Sequence, residues 1–458
     1  MSGIAEVLHS LGFNVQGSDN ANTPNLQRLQ KLGITAFAKH HKNNIRDADV
    51  VVVSSAIPGD NPELAAAKEQ FIPVIHRSEM LAELMKLKNS IAVTGTHGKT
   101  TTTALVSHAL WNTHLNPTTI NGGIVNEWGS NARIGNSEWM VVEADESDGS
   151  FRNLQSTVAV VTNCDPEHMD FWKSQRSLHN AFRNFIGSVP FYGFAALCID
   201  HPVVRKMARD TTQRRVITYG LSPLAEIHAE NPQMSELGTR FDLVIAPRGS
   251  QAKRKIKSVF LSLMGEHNVQ NALAAVAVAH GLGLDINAVA ESFAGFSGVK
   301  RRFTRVARVS NISFIDDYAH HPAEIQVVLQ TARQLLAARE NGGRVVAVVQ
   351  PHRYSRLQAM LAEFCASFDN AAAVFVTPVY AAGEKAREGV SHRALVRGLR
   401  EHGHRRAKAV ANPDELAAEL AAELKPHDCV IFLGAGDITR WAEIAPSAVA
   451  RLLNIRVA

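Results

Sequence analysis

A short segment rich in glycine and threonine is the part of this sequence best suited to bind phosphate. The apolar run Ile91–Val93 predicts a buried strand, the residues Thr94-Gly-Thr-His-Gly-Lys-Thr100 follow it directly, and a helix-like run continues to Trp111. Glycines let backbone N–H groups approach phosphate oxygens, and a helix N-terminus adds positive potential. Lys99 adds a full charge, and Thr100 offers a hydroxyl to Mg²⁺. The segment therefore predicts a site for ATP or GTP.

Acidic residues follow two further runs that read as strands. One segment is Val141-Val-Glu-Ala-Asp-Glu-Ser-Asp148. The other is Asn163-Cys-Asp-Pro-Glu-His-Met-Asp170, which follows the neighbouring run. Carboxylates at strand ends suit Mg²⁺, which takes oxygen ligands beside substrate phosphates. The alternative for the first segment is a solvated acidic loop. His168 is either a ligand to a second metal ion or a capping residue.

Three later segments combine histidine, arginine or glycine after runs that also read as strands. They are Asp316-Asp-Tyr-Ala-His-His-Pro322, Pro351-His-Arg-Tyr-Ser-Arg356 and Leu433-Gly-Ala-Gly-Asp-Ile438. The adjacent histidines lack the helical spacing of a zinc site, so zinc is not expected. Arginines beside a histidine suit a carboxylate or a phosphate, and the alternative is an ordinary surface loop.

The elements that must position these residues alternate between strands and helices along the whole chain. This alternation predicts an α/β fold with parallel sheets and helices on their faces, and one such sheet within residues 1–89. We expect three domains: a Rossmann-like domain over residues 1–89, a central phosphate-loop domain over 90–298 and a second Rossmann-like domain over 299–458. Asp19 stands where dinucleotide folds place a ribose-binding acid. The first strand and glycine turn, ~20 residues before such an acid, would then precede Met1.

Composition excludes several classes of protein. The 458 residues are 45 % hydrophobic, with no run of ~18 apolar residues, so we expect no membrane-spanning helix and no membrane partner. The N-terminus lacks a signal-peptide pattern, and the four cysteines form no CxxC pair, which together predict a cytoplasmic protein. A net charge of +5 suits anionic substrates. The basic residues are scattered, so no nucleic-acid partner is expected.

Taken together, the motifs resemble those of the Mur ligases, ATP-dependent enzymes that form the amide bonds of the peptidoglycan stem peptide. The resemblance covers essentially the whole chain, in the same order. The segments that carry it are Thr94–Thr101, Glu143–Asp148, Asp165–Asp170, Gly265-Glu-His-Asn-Val-Gln-Asn271, Asp316–Glu324, Pro351–Arg356 and Phe432–Ile438. The family implies a UDP-binding domain, an ATPase domain and a Rossmann-like C-terminal domain. It also implies a role in cell-wall biogenesis, cell shape and cell division.

Within the family, the segments after residue 316 most closely resemble the member that joins L-alanine to the lactyl carboxylate of UDP-N-acetylmuramate. That resemblance implies ATP, with Mg²⁺ or alternatively Mn²⁺, and an acyl-phosphate intermediate. We expect a monomer or weak homodimer. The alternatives are a sibling that recycles a murein tripeptide, another sibling ligase, and a chain that binds ATP but is inactive because its UDP loop is missing.

The resemblance also implies roles for individual residues. The implied catalytic residues are Lys99, Glu143, His168, Arg302, His320 and Arg353, and the implied metal ligands are Thr100, Glu143 and His168. The implied ATP site comprises Gly95, Thr96, His97, Gly98, Lys99, Thr100, Thr101, His267, Asn268, Asn271, Asp317 and Tyr318. The implied UDP-sugar residues are Asp19, Ser54, Ser55, His76, Arg77, His97 and Asn121. Asn268 could equally cap a helix, and Arg301 is the alternative to Arg302.

Two features depart from the family pattern. The segment Met1-Ser-Gly-Ile-Ala-Glu6 resembles the family sequence directly after its glycine-rich UDP-diphosphate loop. We therefore expect that the start of the protein was assigned at an internal methionine. Glu167 stands where the family usually has aspartate before the metal-binding histidine.

Overall fold

The computed structural model describes residues 1–249 and 252–454, which form two compact units. The first unit comprises Met1–Gln233 and Leu237–Val299. The second comprises the chain from Lys300 onward together with Met234–Glu236. Within the described ranges, no helix is both long and apolar enough to cross a bilayer.

The first unit alternates strands and helices, as the sequence predicts. Its strands are β1 (Gln16–Ser18), β2 (Thr35–Phe37), β3 (Val51–Val53), β4 (Val74–His76), β5 (Asn89–Thr94), β6 (Thr118–Val125), β7 (Ser130–Arg133), β8 (Trp139–Glu143), β9 (Val158–Val161), β10 (Phe194–Cys198), β11 (Arg215–Gly220), β12 (Ile227–Ser235), β13 (Gly238–Ile245) and β14 (Arg254–Leu261). Its helices are α1 (Ser2–Ser10), α2 (Pro24–Lys31), α3 (Pro62–Glu69), α4 (Arg77–Lys86), α5 (Lys99–Asn112), α6 (Met169–Trp172), α7 (Gln175–Gly187), α8 (Pro202–Asp210), α9 (Glu266–Gly281) and α10 (Ile286–Ser292).

The first 89 residues form two separate parallel pairs of strands rather than one continuous sheet. β1 pairs with β2, and β3 pairs with β4. Each of these strands has three residues. Helices α2 and α3 begin with a proline that follows a capping side chain, which fixes where each helix starts.

A ten-stranded sheet dominates the rest of the first unit, in the order β14-β13-β12-β11-β10-β9-β5-β8-β6-β7. Its central strands are parallel, and their residues are apolar on both sides because helices cover both faces. Helices α5, α9 and α10 pack on one face. Helices α4, α7 and α8 pack on the other. This burial on both faces holds the ends of the central strands in fixed positions.

The second unit is built around a six-stranded sheet in the order β15-β16-β20-β17-β18-β19. The antiparallel edge strand β15 pairs with β16, and the remaining strands are parallel. The strands are β15 (Thr304–Val309), β16 (Ile312–Asp317), β17 (Val345–Val349), β18 (Ala373–Val376), β19 (Ala407–Ala409) and β20 (Cys429–Leu433). The helices are α11 (Pro322–Ala337), α12 (Tyr354–Ala359), α13 (Leu361–Ala366), α14 (His392–Glu401), α15 (Pro413–Glu423) and α16 (Ile438–Leu452). One buried cluster lies on each face of the sheet.

The four cysteines are all buried, and none forms a disulfide. Cys164 and Cys198 lie in the first unit, and Cys365 and Cys429 lie in the second. This arrangement agrees with the absence of a cysteine framework in the sequence.

Candidate active site

The loops after β5, β8, β9 and β10 lie along one edge of the central sheet. These strands are parallel neighbours, so their carboxyl ends meet at that edge. Open α/β sheets bind their ligands there. The predicted phosphate loop follows β5, the first acidic segment follows β8, and the segment with His168 follows β9. The sheet therefore brings together motifs that are far apart in the sequence.

Two glycines shape the phosphate loop between β5 and α5. Gly98 has a φ of 80° at the N-cap of α5, and Gly95 has a φ of 141°. A Cβ atom on Gly95 would lie only 2.0 Å from Oγ1 of Thr162, so that position excludes a side chain. The first N–H groups of a helix have no helical partner. The loop can therefore offer N–H donors to a phosphate at the start of α5.

Lys99 begins α5 and folds its side chain back over the loop. Its Nζ donates to the carbonyl oxygens of Gly95 at 2.7 Å and Thr96 at 3.1 Å, and it pairs with Oε2 of Glu146 at 2.7 Å. Burial acts to lower the pKa of Lys99, but the charges of Glu146 and Asp145 outweigh burial and raise that pKa. Burial raises the pKa of Glu146 to about 7. Lys99 is therefore a fixed cation at the base of the loop.

Thr100 and Glu143 form the pair predicted to bind the first Mg²⁺. Oγ1 of Thr100 donates to Oε1 of Glu143 at 3.1 Å, and the N–H of Gly122 donates to Oε2 of Glu143 at 2.7 Å. Burial raises the pKa of Glu143, so a nearby cation would stabilise its charged form. A hydroxyl and a carboxylate are oxygen donors that fit Mg²⁺. Thr101 follows on α5 and is buried.

Glu146, Glu167 and His168 form a second group that could hold a cation, because their ligand atoms lie within 4.8 Å of one another. Nε2 of His168 lies 4.0 Å from Oε1 of Glu146 and 3.9 Å from Oε1 of Glu167. His168 stands at the N-cap of α6 with a φ of 54°, yet its ring makes no capping hydrogen bond. The side chain of His168 therefore does not cap α6, and its distances to Glu146 and Glu167 suit the ligand alternative, which stays a prediction.

The loop after β9 is hydrogen-bonded to the phosphate loop along its length. Oγ1 of Thr162 and Nδ2 of Asn163 donate to the carbonyl oxygen of His97, at 2.7 and 3.0 Å. The N–H of His97 donates to Oδ1 of Asn163 at 2.7 Å. Oγ1 of Thr96 donates to the carbonyl oxygen of Asp165 at 3.2 Å and accepts its N–H at 2.9 Å. These bonds make the two loops one connected surface.

The predicted adenine-side residues lie at the start of α9 and bind one another. Nδ2 of Asn271 donates to Oδ1 of Asn268 at 3.1 Å, and Oγ1 of Thr102 donates to Oδ1 of Asn271 at 3.0 Å. The N-cap residue of α9 is Gly265, so the alternative that Asn268 caps the helix is wrong. His267 precedes this pair and is half-buried. The two asparagines join α9 to the phosphate-loop helix.

Two of the predicted UDP-sugar residues, Ser55 and His76, line a cavity of about 360 Å³ in the first unit. Nε2 of His76 lies 3.2 Å from Oγ of Ser55 and 3.9 Å from Oδ2 of Asp148. Nη2 of Arg77 donates to Oδ2 of Asp145 at 3.1 Å. The cavity therefore connects the end of β4 with the acidic loop after β8.

The remaining predicted UDP-sugar residues are in different surroundings. Asn121 on β6 is 2 % exposed, and neither polar atom of its side chain has a hydrogen-bond partner among the described residues. An unpaired buried amide is unfavourable, which supports a ligand contact at this position. Ser54 is half-buried directly after β3. Asp19 is exposed after β1, and within the described ranges no bond joins it to Ser55 or His76.

In the second unit, Asp317 ends β16 and is 4 % exposed. Each of its carboxylate oxygens accepts a backbone N–H at 2.7 Å. Burial raises the pKa of Asp317 to about 6, against the charge of Arg302. The guanidinium carbons of Arg301 and Arg302 lie 4.9 and 5.2 Å from the ring centroid of Tyr318. The structure therefore brings Asp317, Tyr318 and both candidate arginines together.

His320 lies next to this group. Its ring centroid is 5.3 Å from that of Tyr318 and 5.7 Å from that of His352. Burial lowers the pKa of His320 to about 3, and burial together with Arg356 lowers the pKa of His352 to about 4. Both imidazoles are therefore neutral near pH 7. Arg353 is exposed at the start of α12, with a φ of 69°.

Several residues of the site were missed by sequence reasoning. They are Glu146, which binds Lys99; Asp145, which binds Arg77; Asn163 and Asp165, which bind the phosphate loop; and His201, whose Nε2 lies 3.1 Å from Oδ1 of Asp165. The first four lie inside segments that the sequence singled out, so their position beside a motif was an available signal. His201 follows β10, and no motif marks it.

Three family profiles match the chain in order. The profile of the Mur ligase family catalytic domain matches residues 1–89, that of the Mur ligase middle domain matches 93–279, and that of the Mur ligase glutamate ligase domain matches 301–436.

The chain is similar to curated ligases and to a solved structure. It is 53 % identical over 452 residues to the UDP-N-acetylmuramate–L-alanine ligase of Paramagnetospirillum magneticum, covering 99 % of this chain and 94 % of that protein. It is 51 % identical over 454 residues to the protein of the same name from Gluconacetobacter diazotrophicus, with coverage of 99 % and 94 %. The crystal structure of the UDP-N-acetylmuramate–alanine ligase of Thermotoga maritima is 29 % identical, with a TM-score of 0.80 and coverage of 99 % and 96 %.

Proposed function

The chain belongs to the Mur ligase family, and from that premise we propose that it joins L-alanine to the lactyl carboxylate of UDP-N-acetylmuramate, converting ATP to ADP and phosphate. The observation that carries this proposal is the identity of 53 % to a ligase of that name over 99 % of the chain. The phosphate loop with Lys99 and the pair formed by Thr100 and Glu143 support it. The reaction would take place in the cytoplasm.

The chemistry requires activation of a carboxylate, because a carboxylate would have to expel oxide to form an amide. An oxygen of the lactyl carboxylate attacks the γ-phosphorus of ATP, and the bond from that phosphorus to the bridging oxygen breaks, which releases ADP. The amine of L-alanine then attacks the acyl phosphate. The tetrahedral intermediate loses a proton and expels phosphate, which leaves the amide. One difficult step is thereby replaced by two easier ones.

The residues of the phosphate loop act mainly by position and charge. The donor and the acceptor are both anionic, so cationic and N–H groups fixed between them lower the barrier. Lys99 would move from Glu146 to the β- and γ-phosphates, and the N–H groups at the start of α5 would bind the same oxygens. His97 would face the muramate end of the site.

The family implies Mg²⁺, and the oxygen donors present fit that ion. Thr100 and Glu143 would hold one ion, and His168 with Glu146 and Glu167 would hold a second; Mn²⁺ is an alternative. Such ions, when bound, supply Lewis-acid neutralisation of phosphate charge. The N–H of Gly122 donates to Oε2 of Glu143 and would hold that carboxylate in place for this role.

The other substrates are assigned to three further groups. The sugar nucleotide would bind Ser54, Ser55, His76, Arg77, His97 and Asn121, with Asp19 as an outlying candidate. The residues that would bind ATP are Thr101, His267, Asn268, Asn271, Asp317 and Tyr318, and Arg302 would contact its phosphates. Tyr318, His320 and Arg353 would shape the nucleotide and alanine pockets, and Arg353 suits a carboxylate. The domains would span 1–89, 90–298 and 299–458, and the protein would be a monomer or weak homodimer.

Phosphate release from ATP by the purified chain tests the function. We expect release that requires both UDP-N-acetylmuramate and L-alanine, and we expect Lys99→Met to abolish it. Lys88→Met is the matched control, because the ammonium of Lys88 donates to a backbone carbonyl, that of Ser137. Faster release with a murein tripeptide than with L-alanine would assign the chain to a sibling activity. ATP binding without phosphate release in the complete mixture would contradict a ligase.

A further inference from the structure

His201 directs its side chain away from the helix that it begins. It is the N-cap residue of α8, yet its ring makes no capping hydrogen bond. N-cap side chains commonly bind the first N–H groups of their own helix. The ring of His201, 16 % exposed, instead places Nε2 at 3.1 Å from Oδ1 of Asp165, in the loop after β9. The stability of α8 does not explain this orientation.

Asp165 links His201 to the phosphate loop. While Oδ1 binds His201, Oδ2 lies 3.4 Å from Nε2 of His97. The main chain of Asp165 is bonded to Thr96 on the same loop. One carboxylate therefore lies between two imidazoles, hydrogen-bonded to His201 and within ion-pair distance of His97. Rotation of that carboxylate toward solvent would break both contacts.

The bridge also connects three neighbouring strands of the sheet. His97 lies in the loop after β5, Asp165 in the loop after β9 and His201 in the loop after β10, and these strands are adjacent in the order β10-β9-β5. Each loop emerges from a strand that is buried on both faces. His201 thus holds the carboxylate from a rigid point outside the phosphate loop.

The contact between Asp165 and His97 acts mainly by fixing the orientation of the imidazole ring, and its binding energy matters less. A carboxylate that faces Nε2 of an imidazole selects the tautomer and the ring orientation, as in catalytic triads, where a third group orients the base. Nδ1 of His97 lies 4.0 Å from Oε2 of Glu167, so each ring nitrogen of His97 faces a carboxylate oxygen. A misplacement of about 1 Å in such a site can lower a rate about 100-fold.

We propose that His201 is a positioning residue of the ligase reaction, which holds Asp165 so that Asp165 orients the imidazole of His97 toward the acceptor carboxylate. The inference rests on the proposed function, because it assigns His97 to the carboxylate end of that reaction. His201 itself touches no reacting atom.

Two substitutions of His201 distinguish the loss of its hydrogen bond to Asp165 from a change in side-chain volume. His201→Gln retains a nitrogen donor near the position of Nε2, whereas His201→Leu removes it at similar volume. We expect His201→Leu to lower kcat for phosphate release about tenfold, with little change in KM for ATP, and His201→Gln to restore most of the rate. His402→Leu is the matched control, because it also removes a histidine paired with an aspartate, Asp369 at 3.8 Å, on the surface of the second unit.

A double-mutant cycle with Asp165→Asn tests whether His201 affects kcat through Asp165. We expect His201→Leu to cause no further loss of kcat once Asp165 is changed. Equal rates for the wild type and His201→Leu would overturn the proposal. So would equal losses in the leucine and glutamine variants, or fully additive losses in the cycle.

A readout that does not need turnover separates this inference from the proposed function. In ¹⁵N NMR spectra, we expect one tautomer of His97 in the wild type and in His201→Gln, and a mixture in His201→Leu. An unchanged His97 spectrum in His201→Leu would overturn the positioning role even if the enzyme is active. Absence of ligase activity in the wild type would instead contradict the proposed function.

Discussion

At the scale of single residues, the phosphate loop is a place where buried charges compensate one another. Lys99 lies 2.7 Å from Glu146, and the hydroxyl of Thr100 lies 3.1 Å from Glu143. Burial raises the pKa of both Glu143 and Glu146. Removing a single polar group here should therefore change function more than it changes the fold.

Thr100→Val tests the assigned oxygen ligand, because it removes the hydroxyl and keeps the shape. We expect the Mg²⁺ concentration for half-maximal phosphate release to rise about tenfold. The control is Thr103→Val on the same helix, where the hydroxyl is fully buried and has no hydrogen-bond partner among the described residues. A Mg²⁺ dependence that is the same in both variants would refute the assignment.

The buried position of His320 makes the free energy of unfolding depend on pH. Burial lowers the pKa of His320 to about 3 in the folded protein, whereas its ordinary pKa is 6.5. Between these two pH values, the unfolded chain binds a proton at His320 that the folded protein does not bind. The stability that the protein gains from keeping His320 neutral is complete above pH 6.5 and is lost as the pH falls. We expect the free energy of unfolding to fall by about 2 kcal/mol more between pH 8 and pH 5 in the wild type than in His320→Asn. Urea unfolding at both pH values measures this difference, and parallel losses would contradict it.

Residue types and spacing could predict Lys99, Thr100 and Glu143, because a strand, a glycine turn and a helix force those side chains to one place. They could not predict which acid pairs with Lys99. The partner is Glu146 because the loop after β8 turns it inward until it is 2 % exposed, and that path depends on contacts distant in sequence.

At the scale of elements, the site depends on the hydrogen bonds that join the loops after β5 and β9. Gly95→Ala should break this connection, because its Cβ atom would lie 2.0 Å from Oγ1 of Thr162 and its φ is 141°. We expect a loss of stability of at least about 2 kcal/mol, together with weaker ATP binding. Thermal unfolding and calorimetry measure the two effects.

Gly187→Ala is the control for that substitution. Gly187 ends α7, and a Cβ atom there would meet nothing within 4 Å. The control should retain the stability and the ATP affinity of the wild type. If Gly95→Ala behaved in the same way, the close packing of the two loops would not be required for nucleotide binding.

Alternation of strand-like and helix-like runs predicted the α/β class, which is confirmed. The same pattern predicted one parallel sheet in the first 89 residues, whereas β1–β2 and β3–β4 form separate pairs. A run such as Val51–Val53 indicates a strand but contains no information about its partner. Strand pairing is set by neighbours elsewhere in the chain, so the split could not be read from local composition.

At the scale of the whole molecule, each unit has its own buried core. Both apolar clusters of the second unit consist only of residues after 300, from Phe303 to Leu453. We expect residues 300–454, produced alone, to fold and to unfold cooperatively in urea, with near-UV circular dichroism that shows fixed aromatic packing. A fragment that keeps helical signal but lacks this packing would show that its core needs the first unit.

The buried cysteines can be used to measure how often the core of each unit opens. Burial raises the pKa of Cys164, Cys198 and Cys429 to about 12, so these thiols are both shielded and protonated. An alkylating reagent can modify them only after the surrounding core opens. Because two cysteines lie in each unit, peptide mapping after timed alkylation would yield a separate opening rate for each unit, without any substitution in the chain. Comparing those rates with and without nucleotide would show in which unit a bound ligand slows opening.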